Sequence, residues 1–267
     1  MQINHKVFVV TGAGSGMGRE MVLQLLEKGA KVAMVDIHED TMKETRKRTG
    51  DLAKNTSMHV VNIADKVAVE ALPDQVIAKF GDVDAVINNA GIIQPFVRVN
   101  DLDYDAIDRV MQVNFYGTLY MTKAFLPILL KRPEAHIMNV SSMGGFLPVP
   151  GQSIYGAAKA AVKLMTEALD SELADTNVNV TLAFPGAIAT NITTNSGLEM
   201  PANADEQSAK MKPMPADEAA EVMIKAMEKN VVRVFVGKDS NTMNNLYRLS
   251  PKMATGLILK NMKSLLG

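Results

Sequence analysis

Seven short apolar runs, separated by segments long enough to form helices, constrain the fold of this chain more than any other feature. The runs lack the strict alternation of a half-exposed strand, which is typical of strands covered on both faces. Strands that alternate with helices pair in parallel through right-handed crossovers. The sequence therefore predicts an α/β fold, a doubly wound parallel sheet of about seven strands with helices on both faces. The predicted strands lie at 6–12, 31–36, 57–63, 82–91, 135–142, 177–186 and 233–237, and the predicted helices at 18–30, 39–48, 66–80, 103–131, 154–173 and 215–229.

The chain has 267 residues, of which 47% are hydrophobic, enough for one domain with a large sheet. We find no repeat or linker, so we expect a single dinucleotide-binding and catalytic domain over residues 1–267. The alternation breaks at 189–214, a polar, methionine-rich stretch near prolines. Because long insertions in compact domains are usually functional, we expect a substrate loop there.

Composition excludes several classes of function. The net charge of −1 gives no indication of a nucleic-acid surface, and the absence of cysteine excludes disulfides and thiolate chemistry. The four histidines have no ligand-like spacing, so we expect no metal site. No run approaches 18 apolar residues, and no room for a signal peptide precedes the first run. These observations predict a soluble, cytoplasmic protein.

The first predicted strand runs into a glycine-rich stretch, "TGAGSGMG" (11–18, the glycine turn), which opens the first predicted helix. Glycines allow a tight turn and a close approach of backbone to a pyrophosphate at the helix N-terminus, where N–H groups and the helix dipole favour an anion. Asp36 ends the second predicted strand, where a carboxylate can accept hydrogen bonds from an adenosine ribose. The sequence therefore favours nucleotide binding over a plain turn with a solvated acid.

A second stretch, "SIYGAAKAAVK" (153–163), places Tyr155 and Lys159 four residues apart. In a helix the two side chains lie on one face, one turn apart. The spacing alone is common and fits an ordinary helix with a solvated lysine. The alternative is a catalytic pair in which an ammonium changes the acidity of a phenol.

Over about residues 5–237 the chain resembles a short-chain dehydrogenase/reductase. The resemblance is carried by four features in this order along the chain: T-G-x-x-x-G-x-G, Asp36, "NNAG" (88–91) and Y-x-x-x-K. The resemblance implies a Rossmann-type fold and an NAD(P)-dependent oxidoreductase. It places Gly12, Gly16 and Gly18 at the cofactor diphosphate. The other cofactor-binding residues expected from the resemblance and their neighbours are Ser15, Met17, Asp36, Ile37, Asn62, Ile63, Asn89, Ala90, Gly91, Tyr155, Lys159, Pro185, Gly186, Ile188 and Thr190.

The resemblance also implies four catalytic residues: Asn114, Ser142, Tyr155 and Lys159. A free tyrosine, with a pKa of about 10, is a poor base at neutral pH, and the charge of Lys159 can lower that pKa. Ser142 is thirteen residues before Tyr155 and would hydrogen-bond the substrate oxygen. Asn114 would lie in a distorted helix whose freed carbonyl holds a water that relays protons to Lys159.

One position departs from the family pattern. The third predicted strand ends near Asn62, where the family often has aspartate at the adenine amino group. An amide oxygen can also accept from that amino group, and Ile63 would supply the adjoining backbone N–H. The acid at position 36 leads us to expect NAD(H) in preference to NADP(H).

The substrate is expected to be a small apolar secondary alcohol or ketone, because the predicted pocket segments 92–98 and 143–152 are largely apolar. Epimerase- and dehydratase-type relatives are typically longer and have a different glycine turn. A catalytically silent NAD-binding regulatory or scaffold protein is the alternative from another class. The resemblance implies a homo-oligomer, a dimer or tetramer formed through the 103–131 and 154–173 helices.

The tail, about 239–267, extends beyond the region of resemblance. Leu257, Leu259, Met262, Leu265 and Leu266 alternate with Lys260 and Lys263, which predicts an amphipathic helix. Packing on the protein or on a partner subunit is the favoured interpretation. Contact with a membrane surface is the minority interpretation.

Overall fold

The computed structural model describes residues 1–198 and 212–262, with side chains up to Lys260. Its seven strands form one parallel sheet in the order β3-β2-β1-β4-β5-β6-β7. This confirms the predicted fold class. The strands are β1 (Val7–Thr11), β2 (Lys31–Asp36), β3 (Thr56–Val60), β4 (Ala85–Asn88), β5 (Ala135–Val140), β6 (Val178–Pro185) and β7 (Arg233–Val236).

The helices alternate with the strands. All six helical segments predicted from the sequence begin and end within three residues of the expected bounds, and the predicted helix 103–131 consists of two α-helices joined by a π-helical turn. The helices are α1 (Gly16–Glu27), α2 (Glu39–Arg48), α3 (Lys66–Phe80), α4 (Tyr104–Met111), α5 (Thr118–Leu129), α6 (Ser153–Glu172), α7 (Ile192–Asn195), α8 (Ala216–Glu228), α9 (Lys238–Leu249) and α10 (Pro251–Met262). A π-helical turn, Gln112–Gly117, joins α4 to α5. Of the predicted substrate loop, residues 199–211 lie outside the described residues.

The sheet is buried on both faces, as the non-alternating apolar runs predict. Phe8 and Val10 of β1 pack in a core with α1, α2 and α8. Val7 and Val9 belong to a second core, on the opposite face, with α3, α5 and the end of α6. Because adjacent strand residues point to opposite faces, a strand covered twice needs apolar residues at every position.

Strand order determines where a site can form. β4 pairs with β1 on the side opposite to β2, so the crossover from β3 to β4 reverses the direction in which the sheet grows. Ligands of doubly wound sheets bind at the carboxyl ends of the strands at such a switch point. The glycine turn follows β1 and the NNAG segment follows β4, so both lie at this edge.

The tail folds as two helices rather than one, and it packs on the domain. Ala254 and Ile258 of α10 are buried with Met243 of α9 and Leu147 in a third core. Met143, Phe146 and Val149 pack against this core. The predicted pocket segment 143–152 is therefore covered in part by the tail, because its apolar side chains are used in this packing.

The buried face of α10 also differs from the sequence pattern. Leu257 and Leu259 are 43% and 45% exposed, whereas Ala254 and Ile258 face the domain. Leu265, Leu266 and Lys263 lie outside the described residues. None of the helices in residues 1–198 and 212–262 has the length and apolar character to cross a membrane.

Candidate active site

A cleft of about 960 Å³, counting its solvent-open mouth, lies at the carboxyl edge of β1, β2 and β4. The predicted residues that line the cleft are Gly12, Ser15, Gly16, Met17, Asp36, Ile37, Asn62, Ile63, Asn89, Ala90, Gly91 and Thr190. The cleft is also lined by Val35, His38, Thr41, Val61, Ile92, Val113, Asn191, Ile192 and Asn195, which the sequence analysis did not assign to the cofactor.

The glycine turn needs glycine for two different reasons. Gly12 and Gly16 have φ of +67° and +49°, a left-handed conformation that side chains other than glycine rarely adopt. Gly18 lies outside the cleft lining, and a Cβ there would overlap the Gly12 carbonyl. The structure therefore gives Gly18 a packing role, and its contact with the diphosphate stays a prediction.

The N-terminus of α1 suits an anion. Its N-cap, Ser15, makes no side-chain cap hydrogen bond, and the first turn of the helix contains no acid. The first amides of a helix have no intrahelical partner, so those of α1 face the cleft without a capping side chain. This arrangement fits the pyrophosphate of a dinucleotide.

Gly14 of the turn is held from both sides. Asp36 Oδ2 accepts a hydrogen bond of 2.9 Å from the Gly14 amide, and Arg19 Nη2 donates to the Gly14 carbonyl. Arg19 also donates to Thr45 Oγ1 at 3.0 Å and pairs with Glu44. The Arg19 guanidinium is thus engaged by the turn and by α2.

The adenosine end of the cleft combines Asp36 with the residues after β3. Asp36 Oδ1 accepts from the His38 amide at 3.1 Å, which fixes the carboxylate at the end of β2. Asn62 Oδ1 accepts from the Ala64 amide at 3.0 Å and retains one lone pair. Ile63 is buried.

The NNAG segment is bonded to the start of the glycine turn. Thr11 Oγ1 accepts from the amides of Asn89 and Ala90 at 2.9 and 3.0 Å, and Asn89 Nδ2 donates to the Thr11 carbonyl at 3.0 Å. Asn89 Oδ1 is buried and has no partner in the part of the chain that the structure describes. An unpaired buried acceptor is costly, and Asn89 as a residue lines the cleft.

Asn114 lies in the π-helical turn, so the expected helix distortion is present at this residue. Its side chain brackets Ile92: Oδ1 accepts from the Ile92 amide at 2.9 Å, and Nδ2 donates to the Ile92 carbonyl at 2.8 Å. Its own carbonyl accepts from Thr118 Oγ1 at 2.9 Å.

Ser142 and Tyr155 lie next to each other: a Cβ on Gly144 would be 3.5 Å from Ser142 Oγ and 3.4 Å from Tyr155 Cε1. Ser142 follows β5 and caps a short 3-10 turn, with Oγ accepting from the Gly144 amide at 3.0 Å. Tyr155 is the third residue of α6. Burial raises the pKa of the Tyr155 phenol above its ordinary value, and the neighbouring Ser142 hydroxyl opposes this rise.

Lys159 is one turn beyond Tyr155 and only 3% exposed. Its Nζ donates to the Val140 carbonyl at 2.9 Å, and a Cβ on Gly91 would lie 3.2 Å from it. Burial lowers the pKa of Lys159 to about 8. Ser141, the residue before Ser142, donates its hydroxyl to the Lys159 carbonyl at 2.8 Å. The two serines thus have different partners, because successive residues of an extended strand point to opposite sides.

The segment after β6 is placed by α9, which the sequence analysis did not foresee. Asp239 Oδ2 accepts from the Ala187 amide at 2.7 Å, and a Cβ on Gly186 would overlap the Asp239 carboxylate. Pro185, Gly186 and Ile188 do not line the cleft, and Ile188 instead pairs with Met214. Thr190 does line it, 3.2 Å from where a Cβ of Gly16 would be.

Three further side chains at the site were not identified from the sequence. Asn195 donates to Ser15 Oγ, Ser196 Oγ accepts from the Ile93 amide, and Gln94 bonds the start of α6. Each bond joins residues more than 60 positions apart. The position of Gln94 just after NNAG, in a predicted pocket segment, was the one available signal.

The sheet order, glycine turn and edge cleft define a Rossmann-type fold. Residues 6–201 match the family model described as short chain dehydrogenase. "Putative oxidoreductase SadH" of Mycobacterium tuberculosis is 37% identical over 250 residues, which are 91% of this chain and 90% of the relative.

Two solved structures share the fold at 27% identity. A short-chain dehydrogenase of Burkholderia cenocepacia in complex with NADP has a TM-score of 0.80, covering 97% of this chain and 99% of the other. The 3-ketoacyl-(acyl-carrier-protein) reductase of Brucella melitensis, complexed with NADH, has a TM-score of 0.78, covering 88% and 96%. The chain belongs to the short-chain dehydrogenase/reductase family and is an oxidoreductase of that family.

Proposed function

We propose that this protein transfers hydride between NAD(H) and an apolar secondary alcohol or ketone, with Tyr155 as the general acid/base. The observation that carries the proposal is the placement of the Tyr155 ring and the Ser142 hydroxyl around Gly144, where a Cβ would lie 3.4 Å from Tyr155 Cε1 and 3.5 Å from Ser142 Oγ. The Lys159 ammonium is one turn further along α6. In this arrangement a phenol and a hydroxyl can both reach one oxygen atom of a substrate.

Residues of the cleft would hold two parts of the cofactor, the α1 amides the diphosphate and Asp36 the adenosine ribose. Lys159, buried beside the cleft residue Gly91, would hold the second ribose. When bound, the nicotinamide ring supplies or accepts the hydride. Similar proteins with NADP and with NADH support a nicotinamide cofactor. The acid at the end of β2 favours NAD(H), because its charge would repel a 2′-phosphate.

Proton transfer would depend on the environment of Tyr155. With a pKa above the ordinary value of about 10, the phenol is protonated at neutral pH and can donate a proton to a ketone oxygen. Alcohol oxidation needs the opposite, a lowered pKa. Lys159 would supply positive charge for this, since a pKa of about 8 leaves it mostly charged at pH 7. Ser142 would stabilise charge on the substrate oxygen.

The substrate class is inferred from the side chains next to the reacting groups. Met143 follows Ser142 and stays partly exposed although it packs against the tail, and Ile154, also partly exposed, precedes Tyr155. These apolar neighbours favour a substrate whose carbon skeleton is apolar near the reacting oxygen.

A homo-oligomer, a dimer or a tetramer, is part of the proposal. Tyr104 of α4, Tyr116 of the π-helical turn and Leu164 of α6 are large apolar side chains that are 83%, 38% and 67% exposed. They belong to the segments through which the family resemblance places subunit contacts, and burying them would favour association.

Replacing Tyr155 with phenylalanine tests the proposal. Tyr155→Phe should lose at least about a hundredfold in kcat, the usual scale for an acid/base group, while NADH binding measured by fluorescence stays near that of the wild type. Lys159→Ala should lose activity and also bind NADH more weakly. Near-normal turnover by Tyr155→Phe would contradict the mechanism.

A catalytically silent NAD-binding scaffold is the alternative. The presence of serine, tyrosine and lysine at the expected positions favours the enzyme. Following NADH oxidation with a broad ketone panel separates the two, because a scaffold would bind NADH and turn over none of the ketones.

A further inference from the structure

The three residues that follow NNAG, Ile92 to Gln94, are each bonded to a different part of the site. Ile92 is bracketed by the Asn114 side chain. The Ile93 amide donates to Ser196 Oγ at 2.9 Å, just after α7. Gln94 bonds the first turn of α6, which carries Tyr155. The segment therefore connects the distorted helix, the substrate loop and the catalytic helix.

Gln94 is fully buried, and its side-chain amide is used on both sides. Oε1 accepts hydrogen bonds from the amides of Ile154 and Tyr155 at 2.8 and 2.9 Å. Nε2 donates to the Gly151 carbonyl at 3.0 Å. The Gln94 carbonyl in turn accepts from Gln152 Nε2 at 2.8 Å, so two glutamines bind the start of α6 to this segment.

The first turn of α6 needs such a partner. The initial amides of a helix have no intrahelical acceptor and are usually satisfied by the side chain of the N-cap residue. In α6 the N-cap, Gln152, makes no side-chain cap hydrogen bond. Gln94 supplies the missing acceptor from 60 residues away, and one of the two amides that it fixes belongs to Tyr155.

We propose that Gln94 is a positioning residue for Tyr155: it caps α6 from outside the helix and so fixes the phenol beside Ser142. The inference rests on the proposed role of Tyr155. Tyr155 is in the first turn, where a helix frays without a cap. A small displacement of an acid/base group from the atom with which it exchanges a proton lowers the reaction rate strongly. Loss of the cap should therefore lower kcat.

Two substitutions separate the cap from the bulk of the side chain. Gln94→Met keeps the approximate volume and removes the acceptor. Gln94→Glu keeps an acceptor for both amides, and in its protonated form, which burial favours, its hydroxyl can donate to the Gly151 carbonyl in place of Nε2. Gln75→Met, the same change at an exposed position of α3, is the matched control.

We expect Gln94→Met to lose at least about tenfold in kcat, with the Kd for NADH changed by less than about threefold, because the cap does not touch the cofactor cleft. Gln94→Glu should stay within about threefold of the wild type, and Gln75→Met should be unchanged. Gln94→Asn, whose amide is one methylene too short, should behave like Gln94→Met and replaces it if that variant fails to fold.

Hydrogen exchange of the peptide covering 152–158 gives a readout independent of turnover. Faster exchange in Gln94→Met but not in Gln94→Glu is expected. Faster exchange with unchanged kcat would overturn the positioning role and leave only a structural cap. Unchanged exchange would overturn the cap itself. If no ketone is turned over by any form, the proposed function fails, while the exchange result still decides whether Gln94 caps α6.

Discussion

Asn195 of α7 donates a hydrogen bond of 2.8 Å to Ser15 Oγ in the glycine turn, 180 residues earlier in the chain. Both residues line the cleft. The bond therefore joins the substrate-loop side of the cleft to the turn at which the cofactor diphosphate is proposed to bind. Ser196, the next residue, is also tethered, because its carbonyl accepts from Arg109 Nη2 at 3.0 Å.

Removing this bond should loosen the cleft over the cofactor. Asn195→Ala is expected to raise the dissociation rate of NADH about fivefold, since a hydrogen bond contributes about 1 kcal/mol. Stopped-flow fluorescence with displacement by excess NAD measures this rate. Thr194→Ala, on the exposed face of the same short helix, is the control and should leave it unchanged. An unchanged or slower rate in Asn195→Ala would contradict the prediction.

Asp36 should set the choice of cofactor. Two unit charges about 4 Å apart repel by about 1 kcal/mol in water and about 4 kcal/mol at an effective dielectric of 20. A hundredfold preference needs about 2.7 kcal/mol. We therefore expect kcat/KM for NADH to exceed that for NADPH at least about a hundredfold. Arg19, the nearby cation on α1, is engaged with Gly14, Glu44 and Thr45.

Asp36→Ala should narrow this preference and also weaken NADH use, because Asp36 holds the Gly14 amide. Asp40→Ala removes a highly exposed carboxylate at the start of α2 and should leave the preference intact. Measuring kcat/KM for both cofactors in all three proteins checks the prediction. A wild type that uses NADPH as well as NADH would show that Asp36 does not lie at the ribose.

The sequence was most informative where one local rule determines the structure. β2 and α3 begin and end at the residues expected from their apolar runs, and α3 also has strong end signals. Asp65 caps it by accepting from Val67 and Ala68, and Gly81 ends it with a φ of 90°. The bounds of such elements follow from neighbouring residues alone.

The site was predictable only as far as short motifs carry it. The order of the glycine turn, Asp36, NNAG and Y-x-x-x-K led to the cleft and to the Ser142–Tyr155 pair. The role of Gln94 could not be predicted, because a glutamine that caps a helix 60 residues away leaves no local pattern. The packing role of Gly18 was not predicted, because a glycine required for packing and one required for ligand approach look the same in sequence.

The sequence also did not reveal which residues of the tail would be buried. Its alternating leucines and lysines indicate an amphipathic helix, but periodicity does not say which apolar residues find a partner. In the fold, Ala254 and Ile258 contact the segment after Ser142, whereas Leu257 and Leu259 remain partly exposed. The buried face of α10 is therefore determined by tertiary contacts with the rest of the domain, not by the hydropathy of the helix alone.

The packing of α10 should therefore support the segment after Ser142. Ile258→Ala is expected to cost about 2–4 kcal/mol in the free energy of unfolding and to lower kcat, because Met143 and Leu147 lose their cover. Leu259→Ala makes a similar truncation at a residue that is 45% exposed and should cost less than about 1 kcal/mol. Urea denaturation and steady-state kinetics measure both effects. Equal losses in the two variants would contradict this packing.

Acid should destabilise the fold through His136, a fully buried residue of β5. Its Nε2 lies 2.8 Å from Thr181 Oγ1 on β6, and Nδ1 has no partner within residues 1–198 and 212–262. Burial lowers the pKa of His136 from 6.5 to about 3. The neutral ring therefore contributes stability that is fully present above about pH 6.5 and is lost progressively as the pH falls towards 3.

Between pH 7 and pH 5 the wild type should lose about 2 kcal/mol of unfolding free energy through this residue. The reason is that the histidine of the unfolded chain has a pKa of about 6.5, so it is protonated at pH 5, whereas the buried histidine is not. His136→Gln, which keeps a polar group near Thr181, should be less stable at pH 7 but lack this part of the pH dependence. His5→Asn, at an exposed position with a φ of 65° that asparagine tolerates, should retain the wild-type slope. Urea denaturation at both pH values gives the change of unfolding free energy with pH. An equal change in the wild type and in His136→Gln would show that protonation of His136 does not cause the acid destabilisation.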